Sequence, residues 1–343
     1  MIPLDLRSDT ITLPVPAMRE AMARAEVGDD VFGDDPTVRV LEQETARILG
    51  KEQALFVPSG TMANQIAVRA HTQPGDEILL EADSHIYYYE AGGAAALSGV
   101  MPRCIAGRRG VFGPDDVARL LRPSDVHFAP TRLVCFENTH NRGGGSVWGL
   151  AEFAATARFC RDRGLATHLD GARLWNASVA TGTSEASYAA EMDSVSVCFS
   201  KGLGAPVGSC LAGTADFIER ARRFRKQFGG GMRQAGIVAA GALYALRHHR
   251  ERLAVDHANA RLLAAFLATV PNVTLAVDSV VTNIVRFDVA DGRAPALAQA
   301  LQARGVRVLP IGPSTLRAVT NLMVDETALR AALPVFAEVL GAA

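Results

Sequence analysis

Residues 133–170 read LVCFENTHNRGGGSVWGLAEFAATARFCRDRGLATHLD, and they carry the clearest signal of the fold class. Two short apolar runs, Leu133–Glu137 and Ala166–Asp170, flank a segment in which apolar residues recur every three or four positions. That spacing predicts a helix over Leu150–Arg163, and Gly164 is placed to end it. The stretch therefore predicts two strands of a sheet joined by a helix.

The same alternation continues on both sides of this stretch. Further apolar runs of strand length begin at Ala54, Glu77 and Ser194, and amphipathic segments separate them. Strands that alternate with helices predict an α/β fold, with a mainly parallel sheet between helices.

The pattern changes in the last third of the chain. A long helical stretch from about Met232 to Ala268 predicts a connector, and shorter strand and helix signals follow it. A chain of 343 residues is also longer than one average domain. We therefore predict a large domain over residues 1–245 and a small C-terminal α+β domain over residues 246–343.

Composition and charge exclude several classes of protein. With 35 basic and 36 acidic residues, the net charge of -1 gives no broad attraction for nucleic acid or membranes. Asp5, Arg7 and Asp9 interrupt the apolar stretch that a signal peptide needs, and no window approaches the roughly 18 apolar residues of a membrane span. The five cysteines contain no C-x-x-C pair, which favours buried, reduced thiols. We predict a cytoplasmic protein that binds neither nucleic acid nor membranes.

A candidate phosphate site follows the apolar run Leu55–Pro58. Ser59, Gly60 and Thr61 open a predicted helix, whose unpaired N–H groups and two neighbouring hydroxyls would bind a phosphate. Taken alone, Ser59 is better interpreted as an N-cap. The sequence has neither a P-loop nor a G-x-G-x-x-G after a strand, so nucleoside triphosphate and dinucleotide sites lack their usual motifs.

Asp170 and Lys201 each end an apolar run of strand length. Because parallel strands present their carboxyl ends to one crevice, we expect both side chains there. A carboxylate can keep a pyridine nitrogen protonated, and a lysine with a lowered pKa can form an imine with an aldehyde. Taken singly, Asp170 is equally consistent with a loop or helix cap, and Lys201 with a solvated lysine. With the candidate phosphate site, however, they match the three parts of pyridoxal phosphate.

Histidines offer further candidates. His85 follows the strand near Ile78–Leu80, so its ring could stack on the cofactor and move a proton. The alternative is a structural histidine in the tyrosine-rich turn that follows. His127, His140 and His168 have the same two interpretations, and packing is the more common role for His140 and His168. No pair of histidines has convincing metal-ligand spacing, so we predict no metal site.

Arginines are the natural ligands of an amino-acid carboxylate, because the planar guanidinium makes two parallel hydrogen bonds. Arg7, Arg173 and Arg317 lie beside strand or loop signals and are candidates for this role. The basic run Arg220–Lys226 instead predicts a solvated helix face. Lys226 ends this run, and Arg233 lies beyond it, so that the two residues flank the glycine loop Gly229–Gly231. This position makes them stronger candidates for a functional role than the rest of the run.

Six motifs, in this order along the chain, resemble those of threonine aldolases, which belong to the β-eliminating-lyase group of fold type I pyridoxal-phosphate enzymes. They are Asp5–Thr10 (DLRSDT), Gly28–Gly33 (GDDVFG), Pro58–Asn64 (PSGTMAN), His168–Arg173 (HLDGAR), Ser200–Gly204 (SKGLG) and Gly229–Gln234 (GGGMRQ). The resemblance runs from residue 4 to about residue 325. Each motif is short, but their number and order make a chance match improbable.

The resemblance implies a role for each candidate residue. The implied catalytic residues are Lys201, which forms the imine, Asp170 at the pyridine nitrogen, His85 on the ring, and His127 near the substrate β-hydroxyl. The implied cofactor-binding residues are Ser59, Gly60, Thr61, His85, Asp170, Arg173, Lys201 and Arg233. The implied substrate-binding residues are Ser8, His127, Arg173, Lys226 and Arg317. Lys226 and Arg233 resemble family residues that reach a neighbouring subunit, which implies a homotetramer built as a dimer of dimers.

The implied reaction is the cleavage of L-threonine or L-allo-threonine to glycine and an aldehyde. Three departures from the family pattern, Phe32, Trp175 and Asn321, could alter the substrate side, for instance toward a bulky substrate such as L-phenylserine. Another pyridoxal-phosphate reaction, namely β-elimination, racemisation or transamination, is the nearest alternative. A non-catalytic relative is an alternative of another class, but no DNA-binding module or extra domain supports it.

Overall fold

A computed structural model describes residues 4–290 and 292–341 of the chain. The outer ends of the two predicted domains, residues 1–3 and 342–343, lie outside the described residues. The strands are β1 Leu4–Asp5, β2 Gln53–Val57, β3 Glu77–Glu81, β4 Met101–Ile105, β5 Thr131–Glu137, β6 Ala166–Gly171, β7 Ser194–Cys198, β8 Ser209–Gly213, β9 Val273–Thr274, β10 Ile284–Val289, β11 Val306–Arg307, β12 Leu309–Pro310 and β13 Thr315–Val319. The helices are α1 Pro16–Ala23, α2 Pro36–Leu49, α3 Gly60–His71, α4 His85–Tyr88, α5 Gly93–Ser98, α6 Pro114–Ala118, α7 Leu150–Arg161, α8 Leu174–Thr181, α9 Glu185–Ala189, α10 Ala215–Gln227, α11 Gly236–His248, α12 Leu253–Leu267, α13 Ala294–Ala303 and α14 Glu326–Gly341.

The central sheet confirms the predicted α/β fold. Within the described residues it has seven strands in the order β2-β8-β7-β6-β5-β3-β4. All neighbours are parallel except β8, which runs antiparallel to both β2 and β7. Its sequence, SCLAG, has small residues in place of the β-branched and aromatic ones that favour strands, so β8 was not predicted.

Both faces of the sheet are covered, because successive side chains of a strand point to opposite faces. In β2, Leu55 and Val57 pack with residues of α3 and α10, whereas Ala54 and Phe56 pack with those of α2 and α11. The predicted strand–helix–strand unit is present as β5, α7 and β6, with Leu133 opposite Ala166.

The strand directions bring distant residues to one edge of the sheet. Strands β2, β3, β5, β6 and β7 all run the same way, so their carboxyl ends share this edge. The segments that carry Ser59, His85, Asp170 and Lys201 begin there.

The prediction of one long helix over residues 232–268 was wrong, because the chain turns between α11 and α12. His249 ends α11, and its buried ring donates from Nδ1 to the carbonyl of Leu203 at 2.7 Å. The turn lets α12 pack against two hydrophobic clusters, with Leu253 in the first and Ala260 in the second.

The C-terminal part has its own antiparallel sheet, in the order β12-β13-β10-β9. The second hydrophobic cluster lies here, but it also includes Leu6, and β1 pairs in parallel with β11. The N-terminal segment therefore lies against the C-terminal part. The division of the chain at residues 245 and 246 stays a prediction.

Two further expectations from the sequence concern the cysteines and membrane-spanning helices. All five cysteines are unpaired, and four of them are buried while Cys104 is half-buried. Among the described residues, no helix combines the length and apolarity that crossing a bilayer would require.

Candidate active site

Asp170 lies at the end of β6 and is almost completely buried. Its Oδ1 accepts a hydrogen bond from the Ala172 backbone at 3.0 Å, and its Oδ2 accepts one from the Asn64 amide at 2.8 Å. Burial alone would raise the pKa of Asp170, but the charges of His85 and Lys201 and these two donors lower it. Asp170 is therefore a buried anion at the carboxyl edge of the sheet.

Lys201 follows β7 and is half-buried, with its Nζ 3.6 Å from the Cys198 sulfur. Its backbone carbonyl accepts a hydrogen bond from the Thr12 hydroxyl at 2.9 Å. The chain has three lysines in all, and Lys51 is bound to a backbone carbonyl elsewhere while Lys226 is exposed. Of the three, Lys201 is the one whose charge lowers the pKa of Asp170.

The segment Ser59–Thr61 is both an N-cap and a candidate phosphate site. Ser59 caps α3, and its hydroxyl accepts from the Met62 backbone at 3.1 Å. The first backbone N–H groups of α3 remain available, as at any helix start. At Gly60, a β-carbon would lie 2.7 Å from the Cys198 sulfur. Glycine therefore lets the start of α3 approach the end of the strand that precedes Lys201.

His85 opens α4 at the same edge. Its backbone N–H donates to Glu137 at 2.7 Å, and its ring Nδ1 lies 2.8 Å from Glu90 Oε1. Burial alone would lower the pKa of His85, but the hydrogen bond to Glu90 and the charge of Asp170 raise it. The ring, 28% exposed, is thus held at one nitrogen and open at the other.

Two buried arginines lie beside the N-terminal segment. Arg173 makes a bidentate pair with Asp9, at 2.6 and 2.7 Å. Arg317 donates to the Asn141 side chain at 2.6 Å and to the Arg7 carbonyl at 3.1 Å. Ser8 lies between these two points of contact. The structure therefore brings together Ser8, Arg173 and Arg317, three of the five residues that the resemblance implies bind the substrate.

Arg317 is a buried guanidinium without a carboxylate partner among the described residues. It is only 5% exposed, yet no carboxylate of the described residues forms an ion pair with it, and its Nε has no hydrogen-bond partner there. Burial and the charge of Arg173 lower the pKa of Arg317. A buried, unpaired guanidinium is costly, so this position is suited to an anion from outside the chain.

Three predicted residues lie outside this cluster in the single chain. The His127 side chain is 82% exposed, and Asp125 is its nearest charged neighbour, at 3.9 Å. Lys226 is exposed beside Gly231, and Arg233 pairs with Asp29 at 3.1 Å on the surface. Their roles stay predictions. Arg7, another candidate, is bound to Asp5 and exposed.

Several site residues were not singled out from the sequence. Asn64 and Asp9 lie inside motifs quoted above, but their contacts depend on the fold. Glu137 ends β5 just as Asp170 ends β6, so the same signal could have identified it. Glu90 had only a weak signal, as an acidic residue between three tyrosines and a glycine pair.

His85, Glu90 and Asp170 are close enough together to suggest a metal site, with one ligand atom of each within 4.8 Å of the others. Hydrogen bonds already account for this arrangement. Glu90 Oε1 accepts from Asn64 and His85, and Asp170 Oδ2 accepts from Asn64.

The three departures from the family pattern differ in their burial and contacts. Trp175 is buried, stacks on Phe199 and donates to the Cys198 carbonyl at 2.9 Å. Asn321 is buried and donates to the Asp5 and Val319 carbonyls. Both side chains are thus held by backbone carbonyls, whereas Phe32 is 77% exposed. Their effect on the substrate stays a prediction.

Predictions were also made from the sequence for His140, His168 and Arg225. His140 and His168 are buried, as packing residues are expected to be. Arg225 contradicts the prediction of a solvated basic face, because it is buried, pairs with Asp30 at 2.9 Å and donates to the Phe56 carbonyl.

Similarity to known proteins extends over nearly the whole chain. A family model described as beta-eliminating lyase matches residues 5–290. The low-specificity L-threonine aldolase of Escherichia coli K12 is 44% identical over 329 residues, which cover 95% of this chain and 96% of that protein. Low-specificity L-threonine aldolase 1 of Arabidopsis thaliana is 41% identical over 344 residues, or 98% of this chain and 96% of that protein.

A solved structure shares the fold at lower identity. Threonine aldolase of Leishmania major superimposes with a TM-score of 0.84 and 21% identity, covering 98% of this chain and all of that one (100%). Similarity at this level supports the architecture alone.

Proposed function

The chain belongs to the beta-eliminating lyase family, and we propose that it is a pyridoxal-phosphate-dependent aldehyde-lyase of the threonine aldolase type. Its reaction is the retro-aldol cleavage of L-threonine or L-allo-threonine to glycine and acetaldehyde. Identities of 41–44% to low-specificity L-threonine aldolases over most of the chain support this reaction.

The observation that carries the proposal is the buried, unpaired Arg317. An amino-acid carboxylate would supply the negative charge that the described residues do not. Arg173 is already oriented by Asp9, and Ser8 lies between the contacts of the two arginines. We propose that these three residues grip the substrate carboxylate and so orient the Cα–Cβ bond.

The site residues fit the cofactor. Lys201 would hold its aldehyde carbon, Asp170 its pyridine nitrogen, and Ser59–Thr61 its phosphate, while His85 would stack on the ring. When bound, pyridoxal phosphate supplies an electron sink for the pair released from the breaking Cα–Cβ bond. The buried charge of Asp170, fixed by Asn64 and Ala172, would keep the pyridine nitrogen protonated.

A proton must leave the β-hydroxyl as the bond breaks. We propose that His85 takes this proton, either directly or through a water that it orders, because its ring lies close to Glu90 with Nε2 free of hydrogen bonds to the described residues. His127 is the second candidate, and its exposed loop would need a neighbouring subunit or a loop movement to reach the substrate. Arg233 and Lys226 have the same requirement.

The proposed assembly is a homotetramer with shared active sites. Exposed apolar residues near the glycine loop support a subunit contact there, among them Val31, Phe32 and Ile237. The β-carbon position of Gly231 lies 3.5 Å from Val31, so the two loops form one surface. Five unpaired cysteines are consistent with the reducing cytoplasm, where we propose that the enzyme works.

Product analysis tests the proposal. We expect the purified protein, loaded with cofactor, to release glycine and acetaldehyde from L-threonine and L-allo-threonine. Ammonia with 2-oxobutanoate would indicate β-elimination, a D-amino acid would indicate racemisation, and dependence on an amino-group acceptor would indicate transamination. Faster aldehyde release from either L-phenylserine diastereomer would favour the bulky substrate instead.

A further inference from the structure

Glu90 is a buried carboxylate between α4 and α5. In the part of the chain that the structure describes, no lysine or arginine forms an ion pair with it. It accepts three hydrogen bonds instead: from His85 Nδ1 at 2.8 Å, Asn64 Nδ2 at 2.9 Å and Gln65 Nε2 at 2.5 Å. Such a charge carries a large desolvation cost unless its donors are held in place.

We infer that Glu90 is a positioning residue for the proposed aldol cleavage, which holds the His85 ring with Nδ1–H toward Glu90 and the Nε2 lone pair toward the substrate. The inference rests on the proposed function only for the identity of the substrate. The arrangement of the two side chains is a property of the chain itself.

The tautomer follows from the chemistry of the two groups. An ionised carboxylate only accepts hydrogen bonds, so the ring nitrogen that faces it must carry the proton. His85 Nε2 has no hydrogen-bond partner among residues 4–290 and 292–341. In the neutral ring, Nε2 is therefore the acceptor that can take a proton from a hydroxyl group.

The charges around His85 also affect its basicity. Burial lowers the pKa of His85, and so does the charge of Lys201, whereas the hydrogen bond to Glu90 and the charges of Glu90 and Asp170 raise it. The Tyr89 ring also lies beside His85, with the ring centroids 5.6 Å apart. Removing the charge of Glu90 should therefore make His85 a weaker base.

Asn64 links this pair to the ring-nitrogen site. Its Oδ1 accepts from Ser196 at 2.8 Å and lies 3.1 Å from His168 Nε2. These contacts orient its Nδ2 toward both Glu90 and Asp170. The amide thus separates two carboxylates that would otherwise repel each other or share a proton.

A purely structural role is the alternative, in which Glu90 only fastens the α4–α5 turn to α3. Glu90→Gln separates the two roles, because it keeps the shape and removes the charge. Among the described residues the Gln65 Oε1 atom has no hydrogen-bond partner, so the Gln65 amide can rotate to accept from the new amide. Gln65→Met is the matched control, since it removes a hydrogen bond to Glu90 and leaves the charge.

The test is the pH dependence of hydrogen exchange at the imidazole C2 of His85, measured by mass spectrometry of peptides from the holoenzyme. We expect the midpoint for His85 in E90Q to fall by about one pH unit or more. It should not move in Q65M, and the midpoints of the other histidines should not move in either variant. The acidic limb of the kcat/KM profile should shift with the His85 midpoint, while kcat falls about tenfold and KM stays within about twofold.

Two outcomes would overturn the inference. One is an unchanged His85 midpoint in E90Q, and the other is an equal loss of kcat in E90Q and Q65M without a shift in the pH profile. Failure of the proposed function is a separate result, because it would appear as wild-type protein that releases no aldehyde from L-threonine, whatever the His85 midpoint does.

Discussion

Asp9 and Arg173, 164 residues apart in the chain, form a bidentate ion pair in which both side chains are buried. The Asn283 amide donates to the same carboxylate at 3.1 Å. Burial alone would raise the pKa of Asp9, but Arg173, Lys201 and Asn283 together lower it to about 2. The pair orients one of the two arginines proposed to bind the substrate carboxylate.

Replacing Asp9 by Asn should remove a pH-dependent part of the stability. Because the folded pKa is below the ordinary value of 3.8, Asp9 stabilises the fold fully above about pH 4, and this contribution disappears as the pH falls toward 2. Wild-type protein should therefore lose about 2 kcal/mol more than D9N across this window. At pH 7, D9N should be about 3–5 kcal/mol less stable, because Arg173 loses its partner.

Urea unfolding at several pH values measures both effects. Glu326→Gln is the control, since Glu326 forms an exposed pair with Arg330 and should change stability by less than about 1 kcal/mol. If D9N and wild-type protein had parallel stability profiles below pH 4, the ion pair would not have the strength assigned to it.

Replacing Arg317 by Met should reduce substrate binding without reducing stability. Loss of a charge-assisted hydrogen bond to the carboxylate should raise KM for L-threonine about 100-fold. Stability should change by no more than about 1 kcal/mol, because the removed charge is buried without an acidic partner. Steady-state kinetics and thermal unfolding give the two numbers, with the exposed Arg304→Met as control. An unchanged KM with a large loss of stability would assign Arg317 a structural role.

Borohydride treatment of the cofactor-loaded protein should fix the cofactor to Lys201. Peptide mass spectrometry can decide this directly, because Lys51 and Lys226 are the only other lysines and their peptides serve as internal controls. Lys201→Ala should lack the visible absorption band of the bound cofactor and release no aldehyde. A label on Lys226 would refute the assignment.

Replacing Gly60 by Ala should weaken cofactor binding. The added methyl group would lie 2.7 Å from the Cys198 sulfur and force α3 away from the end of β7. Overpacking of this kind costs about 1–3 kcal/mol, which should appear as lower stability and weaker cofactor affinity. Gly149→Ala is the matched control, since Gly149 also lies at a helix start and has open space around its β-carbon position. Equal cofactor affinity in both variants would contradict the proposed phosphate site.

The sequence predicts the part of the site that is formed by reactive side chains at the ends of strands. Asp170 and Lys201 each follow a buried apolar run, and parallel strands bring such ends together. The apolar runs alone therefore predict that the two side chains are close. The arginine cluster is different, because Arg173, Arg317 and Ser8 come from distant parts of the chain. The chemistry of the guanidinium group makes Arg173 and Arg317 candidates, but only the family resemblance adds Ser8 to them.

The remaining contacts depend on tertiary packing that local patterns do not contain. Glu90 and Asn64 are polar residues with no periodic signal, and their hydrogen bonds join α3 to the α4–α5 turn. Arg225 belongs to a basic run typical of a solvated face, yet Asp30 pairs with it in the interior. The break between α11 and α12 was missed because helical spacing continues through His249 while the ring of that residue binds Leu203.

The pairing of β1 with β11 has a consequence for biosynthesis. Ser8 and Asp9 follow β1 after Leu6 and Arg7, and the Val319 backbone N–H donates to the Leu6 carbonyl at 2.7 Å. These first residues emerge from the ribosome long before their partners around Val306 and Val319 are synthesised. The N-terminal segment must therefore wait for nearly the whole chain, so a nascent or truncated polypeptide that has formed its central sheet would still lack the finished substrate pocket.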